Sequence, residues 1–148
     1  MGRVLAVDLG SRRVGVALSD PGRTFARPAG VLQTGPDLWK TLTKLIADEE
    51  VDLVVVGLPL NMDGSRGPKA EEALKFRDEI ERRTGLESVT WDERLTTVEA
   101  DGYLREGGLS ARKRSAKVDE VAAQIILQSY LDARKAASGP DLPEEQET

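Results

Sequence analysis

The chain has 148 residues, of which 39% are hydrophobic and 32% charged, as expected for one globular domain with one core. It contains no cysteine and no histidine, which excludes disulfides, thiol catalysis, Ser-His-Asp triads and the common zinc sites. An enzyme of this composition must use carboxylates, lysine, arginine, hydroxyl groups or an oxygen-bound metal such as Mg²⁺, Mn²⁺ or Ca²⁺. The apolar pattern begins at Arg3 and contains no long apolar run, so we expect no signal peptide, no membrane span and a cytoplasmic location.

The net charge of −5 is unevenly distributed. Residues 138–148 contain four acids and no base, and we expect them to form a disordered acidic tail outside a domain spanning residues 1–137. The rest of the chain carries a net charge of only −1 and includes a basic cluster at Arg112, Lys113, Arg114 and Lys117. Net charge alone therefore does not exclude a nucleic-acid partner.

The first half of the chain has the pattern of a hairpin followed by alternating elements. Apolar runs and turn residues predict strands at 3–9 and 13–19 around a turn at 10–12, a weaker strand within 24–33, a helix at 36–50 and a buried strand at 52–57. The last of these runs is continuous rather than alternating, as in strands buried on both faces of an α/β sheet.

The second half is mainly helical. The pattern predicts a loop at 59–67, a helix at 68–84, a short strand at 88–91, a helix at 96–106, a polar basic loop at 109–116 and a long helix at 117–136. This order indicates an α/β fold with a mixed five-stranded sheet. The first three strands form an antiparallel meander, and the fourth and fifth are parallel and enter through helices.

Acids occur at the ends of two predicted strands. Asp8 follows four apolar residues, at the kind of strand end where open α/β sheets gather ligands, although an aspartate there can also simply close a turn. Asp92 and Glu93 follow the last strand, and the two-residue period places Glu93 on the same face as Val89 and Trp91. We prefer Glu93 as the functional acid, while a helix cap and a pair with Arg94 remain open for these two residues.

A third acid, Asp119, lies near the start of the long helix. Glu120, Gln124, Gln128 and Asp132 recur every four residues and predict a solvent-facing line. Asp119 lies instead beside the apolar face, where an unpaired carboxylate would cost roughly several kcal/mol and therefore needs a cation or hydrogen-bond donors. The free N–H groups of the helix start, or Lys117, can also meet that need.

These acids suggest a shared function if they converge. Three carboxylates repel one another, whereas a divalent cation makes such a cluster favourable. Two ions about 4 Å apart can activate water and stabilise the leaving oxygen in phosphodiester hydrolysis, a reaction that needs neither histidine nor cysteine.

Four blocks of sequence resemble the YqgF family. They are VDLGSRRVGVALSD (7–20), VVVGLPLNMDGSRGPKA (54–70), DERLTTVEA (92–100) and KVDEVAAQIILQSYLD (117–132). The resemblance implies an RNase H-like fold and nuclease activity on precursor 16S ribosomal RNA or on Holliday junctions. It also implies that Asp8, Glu93 and Asp119 are catalytic acids that bind Mg²⁺ or Mn²⁺.

Basic residues around these acids are candidates for contacts with nucleic-acid phosphates. Arg13 matches a basic residue of the family's first block, and an ordinary hairpin arginine is the simpler alternative. The other candidates are Arg94, Arg112, Lys113, Arg114 and Lys117. The expected partners are structured nucleic acid, as precursor rRNA or branched DNA, and ribosomal particles, with the protein acting as a monomer or a homodimer.

Three hypotheses compete. The first is a metal-dependent nuclease that processes precursor 16S rRNA during ribosome biogenesis. The second is a Holliday junction resolvase, which must cut two strands symmetrically and should therefore be a stable two-fold dimer. The third is a nucleic-acid-binding module without catalysis, against which the retention of all three acids argues. An actin-like phosphotransferase would need two such domains and a much longer chain.

Overall fold

A computed structural model describes residues 2–95 and 111–138. Within these ranges the side chains of residues 95, 111–119 and 138 are not described. The predicted helix at 96–106 and the predicted tail lie outside the described residues, apart from Ser138, which ends the last helix. No described helix is long and apolar enough to cross a membrane.

The core of the fold is a five-stranded sheet in the order β3-β2-β1-β4-β5. Its strands are β1 (Arg3–Leu9), β2 (Arg13–Ser19), β3 (Ala26–Gln33), β4 (Val51–Leu58) and β5 (Glu87–Asp92). The first three are antiparallel neighbours, whereas β4 pairs parallel to β1 and β5 pairs parallel to β4. The predicted mixed sheet is therefore confirmed. Because β1, β4 and β5 are parallel, their carboxyl ends lie along one edge of the sheet, which we call the carboxyl edge.

In the part of the chain that the structure describes, three helices flank the sheet: α1 (Leu38–Asp48), α2 (Pro68–Thr84) and α3 (Ala111–Ser138). Helix α2 begins with Pro68, which has no N–H to leave unpaired, and ends at Gly85, whose φ of 74° suits glycine. Helix α1 buries Leu38, Leu42 and Ile46, residues spaced four apart on one face.

The sheet separates two hydrophobic cores because side chains of a strand alternate between its faces. Leu5 and Val7 of β1 pack on the side of α1 and α2. Val4 and Ala6 pack on the other side, against Ala123 and Leu127 of α3. Asp8 continues the second series, so its position in the strand directs it to the α3 side.

Two expectations about the last helix are wrong. The predicted basic loop at 109–116 is helical from Ala111 onward, because its alanine, arginine and lysine residues are strong helix formers and no glycine or proline interrupts them. The predicted solvent line is only partly solvated. Gln124 donates to the Ala26 carbonyl, and Gln128 accepts from the Ala26 N–H and donates to the Thr24 carbonyl. These side chains satisfy backbone groups at the start of the edge strand β3 and just before it.

Candidate active site

Asp8 and Glu93 meet at the carboxyl edge. Asp8 is the penultimate residue of β1, and Glu93 opens the short 3₁₀ turn Glu93–Leu95 directly after β5. The two side chains share a hydrogen bond although β4 separates their strands in the sheet. Residues 85 positions apart in the sequence are thus brought into contact by the parallel pairing alone.

The space for this contact is provided by Gly57 of β4. A Cβ atom at that position would lie 2.6 Å from Oε2 of Glu93 and 2.8 Å from Cδ1 of Ile126 in α3. Both distances are shorter than real Cβ contacts, so a side chain here would displace the carboxylate or the helix. Glycine is therefore required by the close approach of Glu93, rather than by an unusual backbone conformation.

The surroundings of Glu93 favour its neutral form. Burial is the main cause of a raised pKa for Glu93, and the charge of Asp92 raises that pKa further. The hydrogen bond with Asp8 and the positive charge of Lys69 act in the opposite direction without reversing the shift. A hydrogen bond between two carboxyl groups requires one of them to keep its proton. The two carboxyl groups therefore hold one proton between their oxygens.

The preference for Glu93 over Asp92 agrees with the contacts of each acid. Asp92 accepts hydrogen bonds from the Arg94 guanidinium at 2.7–3.1 Å and from the Arg94 backbone N–H at 3.0 Å, and these bonds lower the pKa of Asp92. The alternative of a pair with Arg94 thus holds for Asp92. Glu93 is directed to Asp8 instead.

Arg94 also holds the loop that follows β4. Its guanidinium donates to the Met62 carbonyl at 3.2 Å and to the Asn61 carbonyl at 3.5 Å. Within the loop, the Asn61 amide donates to the Ser65 hydroxyl. The Ser65 hydroxyl and backbone N–H both donate to the Asp63 carboxylate. In the structure Arg94 therefore positions this loop, and its predicted contact with nucleic acid stays a prediction.

The other predicted residues fall into two groups. Arg13 lies at the start of β2 and lines a polar cleft with Arg12 and Lys69. Arg112, Lys113, Arg114, Lys117 and Asp119 belong to α3, but their side chains lie outside those that the structure describes. Among the described residues no group of three or more potential metal-binding acids occurs, so the pair of Asp8 and Glu93 would need Asp119 to become a triad.

Sequence reasoning missed Lys69 and Gly57. Lys69 is the second residue of α2, and its closeness to Glu93 depends on how that helix packs, which no local pattern reveals. Gly57 ends an apolar run, and a glycine inside a strand pattern is a general sign of close approach. That sign identifies the position but not the group that approaches it.

The chain is similar to a named family of proteins. The family model described as "Holliday junction resolvase" (RuvX) matches residues 2–133. A relative from Roseiflexus sp. is 43% identical over 136 residues, covering 90% of this chain and 96% of its own, and is named "Putative pre-16S rRNA nuclease". A relative of the same name from Anaeromyxobacter sp. is 45% identical, with 90% of this chain and 99% of its own covered.

Solved structures of junction resolvases share the fold. The Thermus thermophilus RuvC complex with a Holliday junction gives a TM-score of 0.56 at 16% identity, covering 90% of this chain and 96% of that one. The Fowlpox virus resolvase, also in complex with a junction, gives a TM-score of 0.53 at 11% identity, covering 89% of this chain and 98% of that one. Identities this low support the fold alone, which is the RNase H-like fold of these resolvases. The family match and the close relatives together show that this chain belongs to the YqgF (RuvX) family.

Proposed function

We propose that this protein is a divalent-metal-dependent nuclease that hydrolyses phosphodiester bonds in structured nucleic acid. One observation carries the proposal: Asp8 and Glu93 face each other at the carboxyl edge and share a hydrogen bond. A pair of carboxyl groups in contact is unfavourable when both are ionised, and a divalent cation removes that penalty. Membership of the resolvase family supports the same chemistry.

The donor set fits a hard cation. Both acids offer oxygen ligands, as Mg²⁺ and Mn²⁺ prefer. We assign Asp119 as the third ligand from its place in the family motif. Bound at carboxylates, such ions activate water and stabilise the leaving oxygen in phosphodiester hydrolysis.

The chain's own residues divide the remaining work. Asp8 and Glu93 would hold the ions, Gly57 leaves room for Glu93, and Arg94 fixes the loop that follows β4. We propose Arg13 and the basic residues of α3 as contacts for phosphates, since neutralising phosphates supplies most of the sequence-independent affinity for nucleic acid.

Precursor 16S rRNA is the substrate that we propose first. Relatives above 40% identity are named as nucleases of that RNA, and the similarity covers nearly their whole length. We further propose that the protein acts in the cytoplasm, with immature ribosomal particles as its partners. A four-way DNA junction is the second candidate, favoured by the family description and by the shared fold of the resolvases.

Cleavage of the two substrates side by side tests the proposal. Precursor 16S rRNA and a four-way junction should be incubated with the protein in Mg²⁺, in Mn²⁺ and in EDTA. We expect cleavage of the rRNA that needs metal and that falls by at least about 100-fold in Asp8→Asn and Glu93→Gln. Asp20→Asn, at the opposite edge of the sheet, is the matched acid control. If cleavage persists in EDTA or in both variants, the proposed chemistry is wrong.

A further inference from the structure

A cleft opens at the carboxyl edge on the opposite face of the sheet from the acids. Leu9 lines this cleft, whereas the preceding residue, Asp8, belongs to the acidic pair. Because neighbouring residues of a strand point to opposite faces, β1 lies between the cleft and the acids. The cleft has a volume of about 580 Å³, within the range of small-ligand pockets. The acids use none of it, and neither the family description nor the relatives' names assign it a ligand.

An aromatic pair forms one wall of this cleft. The rings of Trp39 in α1 and Phe76 in α2 are stacked with centroids 4.7 Å apart and planes 25° apart. The Arg83 guanidinium lies 4.7 Å from the centre of the Trp39 ring and donates to Glu79 at 2.5 Å. Both rings are only partly buried. Contacts within the protein thus fix the wall. Binding of a planar ligand would therefore cost little side-chain entropy of the protein.

A basic rim adjoins the cleft on one side. Lys69, Gly10 and Ser11 line both this cleft and an adjoining polar cleft of about 530 Å³, which also contains Arg12 and Arg13. The described lining of the polar cleft includes no acid. Glu72 lines the aromatic cleft and would repel a phosphate there, but its carboxylate can accept a hydrogen bond from an amino group of a base.

The aromatic wall and the basic rim together indicate which ligand fits the cleft. A nucleotide has an aromatic base and a negative phosphate joined at a fixed short distance, which matches an aromatic wall beside a basic rim. We propose that the cleft binds an unpaired nucleotide of the substrate, with its base against Trp39 and Phe76 and its phosphate at Arg12 and Arg13. The inference rests on the proposed function and adds to it that substrates need an unpaired segment beside the cleavage site. A paired base cannot enter because its face is covered by its neighbours in the stack.

Tryptophan fluorescence reports on the cleft directly. The chain has two tryptophans, and Trp91 lies on the α3 side, so Trp91→Phe leaves Trp39 as the only reporter. This protein should be titrated in EDTA, where no metal supports cleavage, with a single-stranded RNA, a single-stranded DNA and a blunt duplex of equal length. We expect the single strands to change Trp39 fluorescence and the duplex to leave it unaltered. The two single-stranded arms show whether RNA or DNA is preferred.

Affinity measurements with variants complete the test. Phe76→Leu should weaken single-strand binding by about fivefold or more, the lower end of what loss of one aromatic stack costs. Arg12→Gln, on the exposed turn, should weaken binding and reduce its salt dependence without affecting folding. Phe25→Leu, which alters an aromatic side chain 70% exposed elsewhere, is the control and should bind like wild type.

The failures of the two proposals are distinguishable. Absence of single-strand binding, or binding that leaves Trp39 fluorescence and the Phe76→Leu and Arg12→Gln affinities unchanged, would overturn the cleft proposal. Metal-independent cleavage, or full cleavage by Asp8→Asn, would instead overturn the nuclease mechanism while the binding result stands.

Discussion

The acids near the two ends of β1 have opposite kinds of partner. At its amino end, Asp20 accepts the backbone N–H groups of Thr24 and Phe25 at 2.8 and 2.7 Å. Asp52 accepts the Gly2 N–H at 2.7 Å and pairs with Arg23. At its carboxyl end, Asp8 meets another acid, Glu93.

The pKa shifts follow this difference. Hydrogen bonds from the backbone of Phe25 and Thr24 lower the pKa of Asp20, while burial raises the pKa of Glu93. Acids that are satisfied by donors stabilise the fold, whereas acids placed together contribute only when a cation joins them. One strand of seven residues thus connects a structural end to the end where we propose the active site.

The largest effect should come from filling the space beside Glu93. Gly57→Ala places a Cβ 2.6 Å from the Glu93 carboxylate, and because a shift of about 1 Å in a catalytic group can cost about 100-fold, we expect a comparable loss of cleavage. Gly35→Ala is the control, since no other atom lies within 4 Å of its added methyl group. Equal cleavage rates for the two alanine variants would show that the position of Glu93 is unimportant.

At the structural end the expected effect is on stability. The Ser19 hydroxyl is buried, accepts the Val4 N–H at 2.9 Å and donates to the Asp20 carbonyl at 2.8 Å. Ser19→Ala leaves the buried N–H without this partner and should lower the free energy of unfolding by about 1–3 kcal/mol. Urea unfolding measures this change, and cleavage at a temperature where both proteins are folded should be equal. A loss of cleavage without a loss of stability would contradict the separation of the two ends.

The smallest effect should appear in the pH dependence of stability. The pKa of Asp20 is lowered in the folded protein, so its stabilising contribution is complete above the ordinary value of 3.8 and is lost as the pH falls through the folded pKa. The stability advantage of wild type over Asp20→Asn should therefore shrink below about pH 4. Unfolding of both proteins between pH 3 and 7 measures it. A difference that stays constant with pH would mean that the Asp20 charge plays no part.

Much of the sheet could be predicted because its signals are local. Apolar runs bounded by turn residues identified β1 and β2 to the residue. The two-residue period of β5 left the choice between Asp92 and Glu93 open, because Glu93 lies in the 3₁₀ turn after the strand. Pro68 and the glycine after Thr84 gave both ends of α2 correctly. These features depend on backbone geometry and on which face of an element is buried.

What could not be predicted depends on tertiary contacts. Gln124 and Gln128 have the spacing of an exposed helix face, yet they bind backbone groups of the edge strand β3, whose position relative to α3 no local pattern contains. The basic segment from Ala111 is polar like a loop, yet its alanine, arginine and lysine residues favour a helix, and the helix forms. The aromatic cleft joins the hairpin turn to α1 and α2, which only the folded chain brings together.

The central claim is that Asp8, Glu93 and Asp119 hold a divalent cation, and thermal melts with and without Mg²⁺ or Mn²⁺ test it most directly. A ligand that binds only the folded state stabilises it by about 2.7 kcal/mol at 100 times its Kd. We expect wild type and Asp20→Asn to gain Tm with metal, and Asp8→Asn and Asp119→Asn to lose that gain. Without metal, Asp8→Asn should be about as stable as wild type, because the asparagine amide can donate the hydrogen bond that the two carboxyl groups share in the wild type. If Asp8→Asn and Asp119→Asn keep the full metal-dependent rise in Tm, these acids do not form the metal site.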